Sequence, residues 1–162
     1  MTIIVDTREQ KNAHLLKVFK KNNIEIIERK LDVGDYSFEI EGQSYEKELV
    51  IERKANLNEL ASNFTSGRDR FNREFERSIN NNTKVILLVE KATMDDIKRH
   101  NYRSKFHPNA FIASLQSWSQ KFGLIVVFGP RNKSGDFIIN SFNKYLEVKA
   151  NGSTIGNSGL CG

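Results

Sequence analysis

Residues 34–54 have the sequence GDYSFEIEGQSYEKELVIERK, and this stretch decides the fold prediction. Two runs within it, residues 36–40 and 44–54, contain the β-branched and aromatic residues that favour strands. The triplet Glu41-Gly42-Gln43 between them is typical of a tight turn. The stretch therefore predicts a β-hairpin that begins at Gly34-Asp35 and ends at Glu52-Arg53-Lys54.

The hairpin is flanked by segments that alternate between strand and helix patterns. Short apolar runs predict strands over residues 2–6, 24–30, 84–90 and 124–128. Apolar residues three and four positions apart predict helices over residues 12–22, 56–64, 68–80, 94–99, 109–122 and 136–148. Strands interleaved with helices predict an α/β domain, in which a mixed β-sheet is flanked by helices on both faces.

Length and composition favour one folded domain. The chain has 162 residues, the size of a single domain, and 38% of them are hydrophobic, which is enough for one core. We expect the domain to cover residues 1–149 and the uncharged, Gly/Ser/Asn-rich residues 150–162 to form a flexible tail. No apolar run is long enough to cross a membrane, and no secretory signal begins the chain. Cys161 is the single cysteine, so we expect a cytoplasmic protein without disulfides.

Three side chains of the hairpin suggest chemistry. Strand alternation places Glu52 and Lys54 on one face of the sheet and Arg53 on the other. Asp35 stands at the start of the partner strand, so the two carboxylates are expected to lie near each other. Neighbouring carboxylates repel unless a proton or a cation lies between them, and an all-oxygen site suits Mg²⁺. With Lys54 to orient a water or help deprotonate it, such a site fits the hydrolysis of a phosphodiester bond.

Four short motifs follow one another along the chain, and their order is more specific than any one of them. The motifs are Asp6-Thr7-Arg8-Glu9, Gly34-Asp35-Tyr36, Ile51-Glu52-Arg53-Lys54 and Ser66-Gly67-Arg68. In that order they resemble the signature GD…ERKxxxD of the XPF/Hef family of nuclease domains, a branch of the restriction-endonuclease-like PD-(D/E)XK fold. The resemblance covers about residues 2–147 and is closest to the compact single-domain members found in bacteria and phages.

The resemblance implies a restriction-endonuclease-like mixed sheet and a metal-dependent DNA endonuclease. It implies that Asp35 and Glu52 bind Mg²⁺ or Mn²⁺ and that Lys54 is catalytic. It also implies a homodimer, for which a surplus apolar face on the last two helices is the candidate surface; the alternative is that this face belongs to the core. The residues that match supporting members of the family's catalytic site are Asp6, Arg8 and Arg53.

Two departures from the family pattern bear on this prediction. The last acid of ERKxxxD falls on Asn58, and because an amide brings no negative charge we expect weaker metal binding or a preference for Mn²⁺. Glu59 lies about 100° further around a helix, so we do not count it as a substitute. We also expect no room for the tandem helix-hairpin-helix domain of the larger members, so DNA selectivity would come from the nuclease domain, a dimer mate or a partner protein.

Basic residues concentrate in the second part of the chain. The net charge is −2 over residues 1–65 and +7 over residues 66–162, a separation that suits an acidic site beside a surface for nucleic acid. The alternative is a moderately basic protein without such a partner. The candidate nucleic-acid-binding residues are Arg68, Arg70, Arg73, Lys98, Arg99, Arg103 and Lys105.

Each half of this basic set has a structural alternative. On the helix 68–80 the arginines either contact phosphates or pair with Asp69, Glu74 and Glu76 of the same helix. The segment 98–105 either contacts the DNA backbone or is solvated, with its tyrosine packed against the domain.

The leading functional prediction is a metal-dependent endonuclease acting on branched or flapped DNA, in repair, recombination or replication. A non-catalytic DNA-binding or scaffolding module is the first alternative, and Asn58 gives it weight. A nuclease of ordinary duplex DNA or of RNA is the second. Glu90, at the end of the strand 84–90, is a candidate for a further acidic ligand or a support of the site.

Overall fold

The computed structural model describes the backbone of residues 1–158 and the side chains of residues 1–152. The strands in this range are β1 Thr2–Val5, β2 Glu25–Glu28, β3 Tyr36–Ile40, β4 Gln43–Ser44, β5 Leu49–Lys54, β6 Lys84–Glu90 and β7 Ile125–Gly129. The helices are α1 Ala13–Lys21, α2 Leu57–Phe64, α3 Arg68–Asn80, α4 Met94–Lys98, α5 Pro108–Phe122 and α6 Ser134–Ser158, with a 3-10 turn at Arg131–Lys133.

The strands form one mixed sheet in the order β2-β1-β3-β5-β6-β7, and β4 pairs with β3. β1 runs parallel to β2, and β5, β6 and β7 run parallel to one another. β3 runs antiparallel to both of its neighbours, β1 and β5. This arrangement confirms the predicted α/β class with a mixed sheet.

Helices cover both faces of the sheet because the central strands are apolar on both sides. On β6, Val85, Leu87 and Val89 pack with α2, α3 and α5, while Ile86 and Leu88 pack with α1 and α6. Each fully buried side chain of this kind contributes about 1.5–3 kcal/mol, so the two cores together hold the strand ends in place. Among the described residues, no helix is long and apolar enough to span a membrane.

The second strand of the predicted hairpin is interrupted. The sequence predicts one strand over residues 44–54, but β4 ends at Ser44 and β5 begins at Leu49. Between them the carbonyl of Tyr45 accepts hydrogen bonds from the backbone N–H groups of Glu48 and Leu49, at 2.8 and 3.0 Å. The turn buries the Tyr45 ring against Phe38 and redirects the chain, so that β5 pairs mainly with β6.

Helix α3 has the predicted bounds but not the predicted apolar stripe. Phe71 and Phe75 are buried as expected, whereas Ile79 is 52% exposed and Ser78 is buried in its place. At 100° per residue, position 78 lies closer than position 79 to the line through the two phenylalanines. The buried Ser78 hydroxyl donates a 2.6 Å hydrogen bond to the Phe75 carbonyl, so its burial leaves no donor unpaired.

The C-terminal region differs from its prediction in two respects. The helix predicted over residues 136–148 begins at Ser134 and extends to Ser158, so α6 includes part of the predicted tail. Residues 159–162 lie outside the described residues, and the flexible tail stays a prediction. The apolar residues of α5 that were candidates for a dimer face are in the core instead: Phe111, Leu115, Trp118 and Phe122.

Candidate active site

Sheet topology brings the predicted site residues to one edge. β1 and β5 run in the same direction and β3 runs in the opposite one, so the ends of β1 and β5 meet the start of β3. Asp35 is tied to both neighbours: its N–H donates to the Ile51 carbonyl and its carbonyl accepts from the Asp6 N–H, both at 2.8 Å. A cleft of about 790 Å³ opens there, lined by Asp6, Arg8, Asp35, Glu52, Arg53 and Lys54 together with residues of α2 and α3.

Glu52 and Lys54 share one face of β5, as predicted. The Lys54 Nζ lies 2.8 Å from Glu52 Oε1 and 5.1 Å from the centre of the Phe71 ring. Both side chains are more than nine-tenths buried, and the second oxygen of Glu52, Oε2, is buried with no hydrogen-bond partner. Burial raises the pKa of Glu52 to about 7, and the nearby Glu74 adds to this effect while Lys54 opposes it.

Asp35 lines the same cleft as Glu52 and Lys54. Its Oδ2 accepts a 2.8 Å hydrogen bond from the backbone N–H of Arg53. Burial raises the pKa of Asp35 well above its ordinary value, and repulsion from Glu52 and then Glu9 raises it further. The two carboxylates are therefore close enough for the charge of each to resist ionisation of the other.

The donor set fits a hard divalent cation. Two carboxylates that repel each other, one with an unpartnered buried oxygen, gain most from a positive charge placed between them. In the described part of the chain no group of three or more His, Cys, Asp or Glu side chains is arranged to hold a metal ion. A cation held by Asp35 and Glu52 would thus keep several waters, as Mg²⁺ commonly does.

Asp6 holds Arg8 at the mouth of the cleft. The buried Asp6 carboxylate accepts hydrogen bonds from the Arg8 Nε at 2.8 Å, from the Arg8 Nη2 at 3.1 Å and from the Leu31 N–H at 2.7 Å. Burial by itself would raise the pKa of Asp6, but these hydrogen bonds outweigh it and hold the pKa below its ordinary value. The Arg8 side chain stays 59% exposed, so its guanidinium is available to an anion in the cleft.

Arg53 lies on the opposite face of β5 and anchors a buried ionic cluster. Its guanidinium donates to both oxygens of Glu9, at 3.1 and 3.0 Å, and to Glu90 Oε1. The other Glu90 oxygen accepts from the Ser134 hydroxyl at 2.9 Å and lies 2.8 Å from His14 Nε2. Since both Glu90 oxygens are already paired, the structure places Glu90 as a support of Arg53 and not as a ligand in the cleft.

Comparison with known proteins adds an independent finding. The ERCC4 domain family matches residues 5–140 of the sequence. The chain belongs to the ERCC4 domain family. This membership and the structural matches below confirm the resemblance to XPF-type nuclease domains. The comparison with curated protein sequences gives no significant match.

Two solved structures share the fold of this ERCC4 domain. XPF from Aeropyrum pernix matches with a TM-score of 0.64 and 18% identity, over 90% of this chain and 61% of that one. XPF from Aeropyrum pernix in complex with DNA matches with a TM-score of 0.65 and 18% identity, over 92% of this chain and 66% of that one. The chain thus spans less than two thirds of either matched chain, and at this identity the likeness concerns the fold.

At Asn58, the position of the last acid in the family signature ERKxxxD, the side chain does not face the cleft. The side chain of Asn58 is turned to a loop outside the cleft, where its Oδ1 accepts from the backbone N–H groups of Arg103 and Ser104, at 2.8 and 3.0 Å. Glu59, which we had not counted, lines the cleft, and its Oε2 accepts from the Ala55 N–H at 2.9 Å. The first turn of α2 begins directly after β5, which is why its third residue reaches the cleft wall.

Only part of the predicted arginine surface reaches the cleft. Arg70 and Arg73 line it, as does Arg77. Arg68 does not, because its guanidinium stacks 5.5 Å from the centre of the Trp118 ring and donates to the Phe64 carbonyl. Arg68 and Arg70 are two residues apart on α3, and a separation of about 200° turns their side chains to different sides.

The second basic stretch lies outside the cleft lining. The side chains of Lys98, Arg99, Arg103 and Lys105 are exposed. Tyr102 is packed against the domain, with its ring 5.4 Å from that of Phe111 and its hydroxyl donating to the Phe106 carbonyl. The packed tyrosine leaves the four cations exposed, so packing of Tyr102 does not prevent this segment from contacting the DNA backbone.

Three residues that the sequence analysis missed lie at or behind the site. Glu74 lines the cleft, and its Oε1 accepts from the Gly34 N–H at 3.1 Å. The spacing of the sequence did not decide its orientation, because Glu74 is three residues after the buried Phe71 but also four after Arg70 and three before Arg77. Glu9 and His14 complete the cluster around Arg53, but no spacing in the sequence connects them to it.

Proposed function

We propose that this ERCC4 domain is a divalent-cation-dependent endodeoxyribonuclease that hydrolyses phosphodiester bonds in branched or flapped DNA. The observation that carries the proposal is the convergence of Asp35, Glu52 and Lys54 in one cleft, with a buried Glu52 oxygen left without a partner. The family membership supports a nuclease. DNA repair, recombination or replication is the process we expect it to serve.

In this proposal Asp35 and Glu52 hold Mg²⁺ or Mn²⁺. The bound cation supplies positive charge that activates water and offsets charge developing on the phosphate. Lys54 is buried, which lowers its pKa, but the carboxylates of Glu52 and Asp35 outweigh this and hold the pKa of Lys54 above its ordinary value. In the metal-free site this keeps Lys54 protonated. With a cation on the two carboxylates their effect on Lys54 is offset, so Lys54 is proposed to donate a hydrogen bond to a phosphate oxygen or to the attacking water, or to help deprotonate that water.

Arginines around the cleft are proposed to position the DNA backbone. Arg8 is held in place by Asp6 and remains exposed, and Arg70 and Arg73 present two more guanidinium groups on α3. Phosphate contacts of this kind set register and affinity without reading sequence. The solved complex of XPF from Aeropyrum pernix with DNA supports nucleic acid as the ligand.

A second candidate function is a DNA-binding module with weak or no catalysis. It is favoured by the amide at Asn58 in place of an acid and by the incomplete ligand set among the described residues. The retained Asp35, Glu52 and Lys54 argue against it. A homodimer also stays a prediction, and sedimentation velocity of the purified chain would test it.

A substrate panel separates these functions. The purified protein is incubated with a labelled flap, a four-way junction, linear duplex DNA and single-stranded RNA at one salt concentration, with Mg²⁺, Mn²⁺ or EDTA. We expect products from the branched DNAs with either cation and none with EDTA. Binding without products under all conditions would refute the nuclease and favour the module, and cleavage of RNA or linear duplex at equal rates would refute the branched substrate.

Lys54→Ala tests the proposed chemistry within the same panel. Removal of the ammonium group should reduce cleavage by about 10²–10³-fold and leave flap binding nearly unchanged. Lys17→Ala, an exposed lysine on α1 at the opposite face of the sheet, is the matched control and should cut like the unmodified protein. Normal cleavage by a folded Lys54→Ala protein would end this mechanism.

A further inference from the structure

The loop between α4 and α5 is held in one conformation by its own hydrogen bonds. The ring nitrogen Nε2 of His100 lies 2.7 Å from the Ser104 carbonyl, and the Ser104 hydroxyl oxygen accepts from the Phe106 N–H at 3.2 Å. Asn101 donates from its side chain to Asp96 at 2.8 Å. The basic side chains of this segment therefore stand on an ordered backbone.

One side chain ties this loop to the helix beside the cleft. The Asn58 Oδ1 accepts both the Arg103 N–H, at 2.8 Å, and the Ser104 N–H, at 3.0 Å. Asn58 is the second residue of α2, and its neighbours Ala55 and Glu59 line the cleft. The tie thus fastens the loop to the first turn of α2, whose next residue, Glu59, lines the cleft.

We propose that Asn58 is a positioning residue for nucleic acid: it latches the basic loop 98–105 to the rim of the cleft, where the loop cations contact the phosphates of the bound strand. This inference rests on the proposed function and assigns to the position of the family's last acid a role in DNA binding in place of metal binding. An ordered loop loses little conformational entropy on binding, so the latch raises affinity by preorganisation.

The chemistry of the side chain supports a latch. Two backbone N–H groups need one acceptor with two lone pairs, which an amide oxygen provides. A carboxylate at this position would make the same two hydrogen bonds but would add a negative charge beside the phosphate path. Asn58 therefore holds the loop without reducing the positive potential of Arg103 and Lys105.

The test compares Asn58→Ala with Asn72→Ala, a surface asparagine of α3 whose side chain pairs with Glu76 away from the cleft. Flap binding is measured in the Lys54→Ala background with Ca²⁺, so that cleavage does not interfere. Asn58→Ala should weaken binding about tenfold and reduce the slope of log Kd against log salt by about 1–2, since each lost phosphate contact lowers it by about 0.9. Asn72→Ala should change neither quantity.

Two further measurements do not depend on DNA. Hydrogen exchange at the amides of Arg103 and Ser104 should accelerate in Asn58→Ala and stay slow in Asn58→Asp, which keeps the acceptor. Mn²⁺ affinity, measured by electron paramagnetic resonance, should be the same in Asn58→Ala as in the unmodified protein, because the side chain faces away from the cleft.

The outcomes separate this inference from the proposed function. Binding and salt slope unchanged in Asn58→Ala, or a large loss of Mn²⁺ affinity, would overturn the latch while the nuclease proposal stands. Binding of the Lys54→Ala protein without cleavage by the unmodified one would refute the nuclease and leave the latch to be judged on the exchange and binding results. No DNA binding by either protein would refute both.

Discussion

Gly34→Ala should be among the most destabilising single changes in this domain, because two costs add at one position. Gly34 has a φ of +79°, a left-handed conformation that a residue with a Cβ adopts only under strain. A Cβ built there would lie 2.8 Å from the Cβ of Val50, 2.9 Å from its Cγ2 and 3.3 Å from the Ile51 carbonyl oxygen. The Val50 Cβ and the Ile51 carbonyl oxygen are fixed by the β5 backbone, so rotation of a side chain cannot relieve these two contacts.

The magnitude follows from these two costs. The left-handed conformation costs about 1–2 kcal/mol for a residue with a Cβ. Overpacking against the Val50 Cβ and the β5 backbone costs about 1–3 kcal/mol more. We therefore expect Gly34→Ala to lower the free energy of unfolding by about 2–5 kcal/mol, which for a domain of this size lowers Tm by about 10 °C.

Two other glycines separate the costs. Gly42 has a φ of +80° with no atom within 4 Å of a built Cβ, so Gly42→Ala carries only the conformational cost. At Gly135, in α6, a built Cβ would lie 2.6 Å from the Val18 Cβ, so Gly135→Ala carries only the overlap, partly offset by about 1 kcal/mol of helix propensity. The assay is equilibrium urea unfolding of the three variants. A Gly34→Ala protein that is no less stable than Gly42→Ala would refute the close approach to β5.

Three further predictions concern charge and hydrogen bonding. The pKa of Glu52 is raised from 4.5 to about 7, so its contribution to stability is fully present below about pH 4.5 and is lost as the pH rises through 7. Urea melts of the metal-free protein should show a fall of about 2–3 kcal/mol from pH 5 to pH 8, to which the raised pKa of Asp35 adds. The fall should be smaller in Glu52→Gln, and a flat profile would contradict this. Glu90→Leu removes one partner of the buried Arg53 and should cost about 3–5 kcal/mol in the same melts, whereas a cost under 1 kcal/mol would show that the ionic cluster is not needed. Tyr145→Phe removes a 2.6 Å hydrogen bond to Glu48 at the far end of β5 and should cost about 1 kcal/mol without changing cleavage; a loss of cleavage would show that the two ends of the sheet are coupled.

Much of the fold was predictable because the signals are local. The bounds of α3, Arg68–Asn80, and of β6, Lys84–Glu90, follow from apolar spacing within each segment. The opposite orientations of Glu52 and Arg53 follow from strand alternation alone. Ile79 fits the apolar spacing of α3 but is exposed, because an apolar residue is not always on the side of its helix that packs against the core.

The surroundings of the site could not be predicted, because they depend on which strands become neighbours. Glu9 and Glu90 meet at Arg53 although they stand 44 and 37 residues from it in the chain. Glu74 reaches the cleft from a helix that the sequence left free to face either way. Asn58 pairs with backbone groups 45 and 46 residues away, which no side-chain pattern indicates.

The amino-acid sequence by itself determined that this chain is an α/β domain, that two carboxylates and a lysine share one hairpin, and that its motifs belong to a nuclease family. It did so because helix and strand periods, and short motifs, are written in neighbouring residues. Only the tertiary structure decided which charges are paired, which cations face the cleft and where the side chain of Asn58 points. Those properties arise from packing between segments distant in the chain, and burial then sets the charge that each group carries.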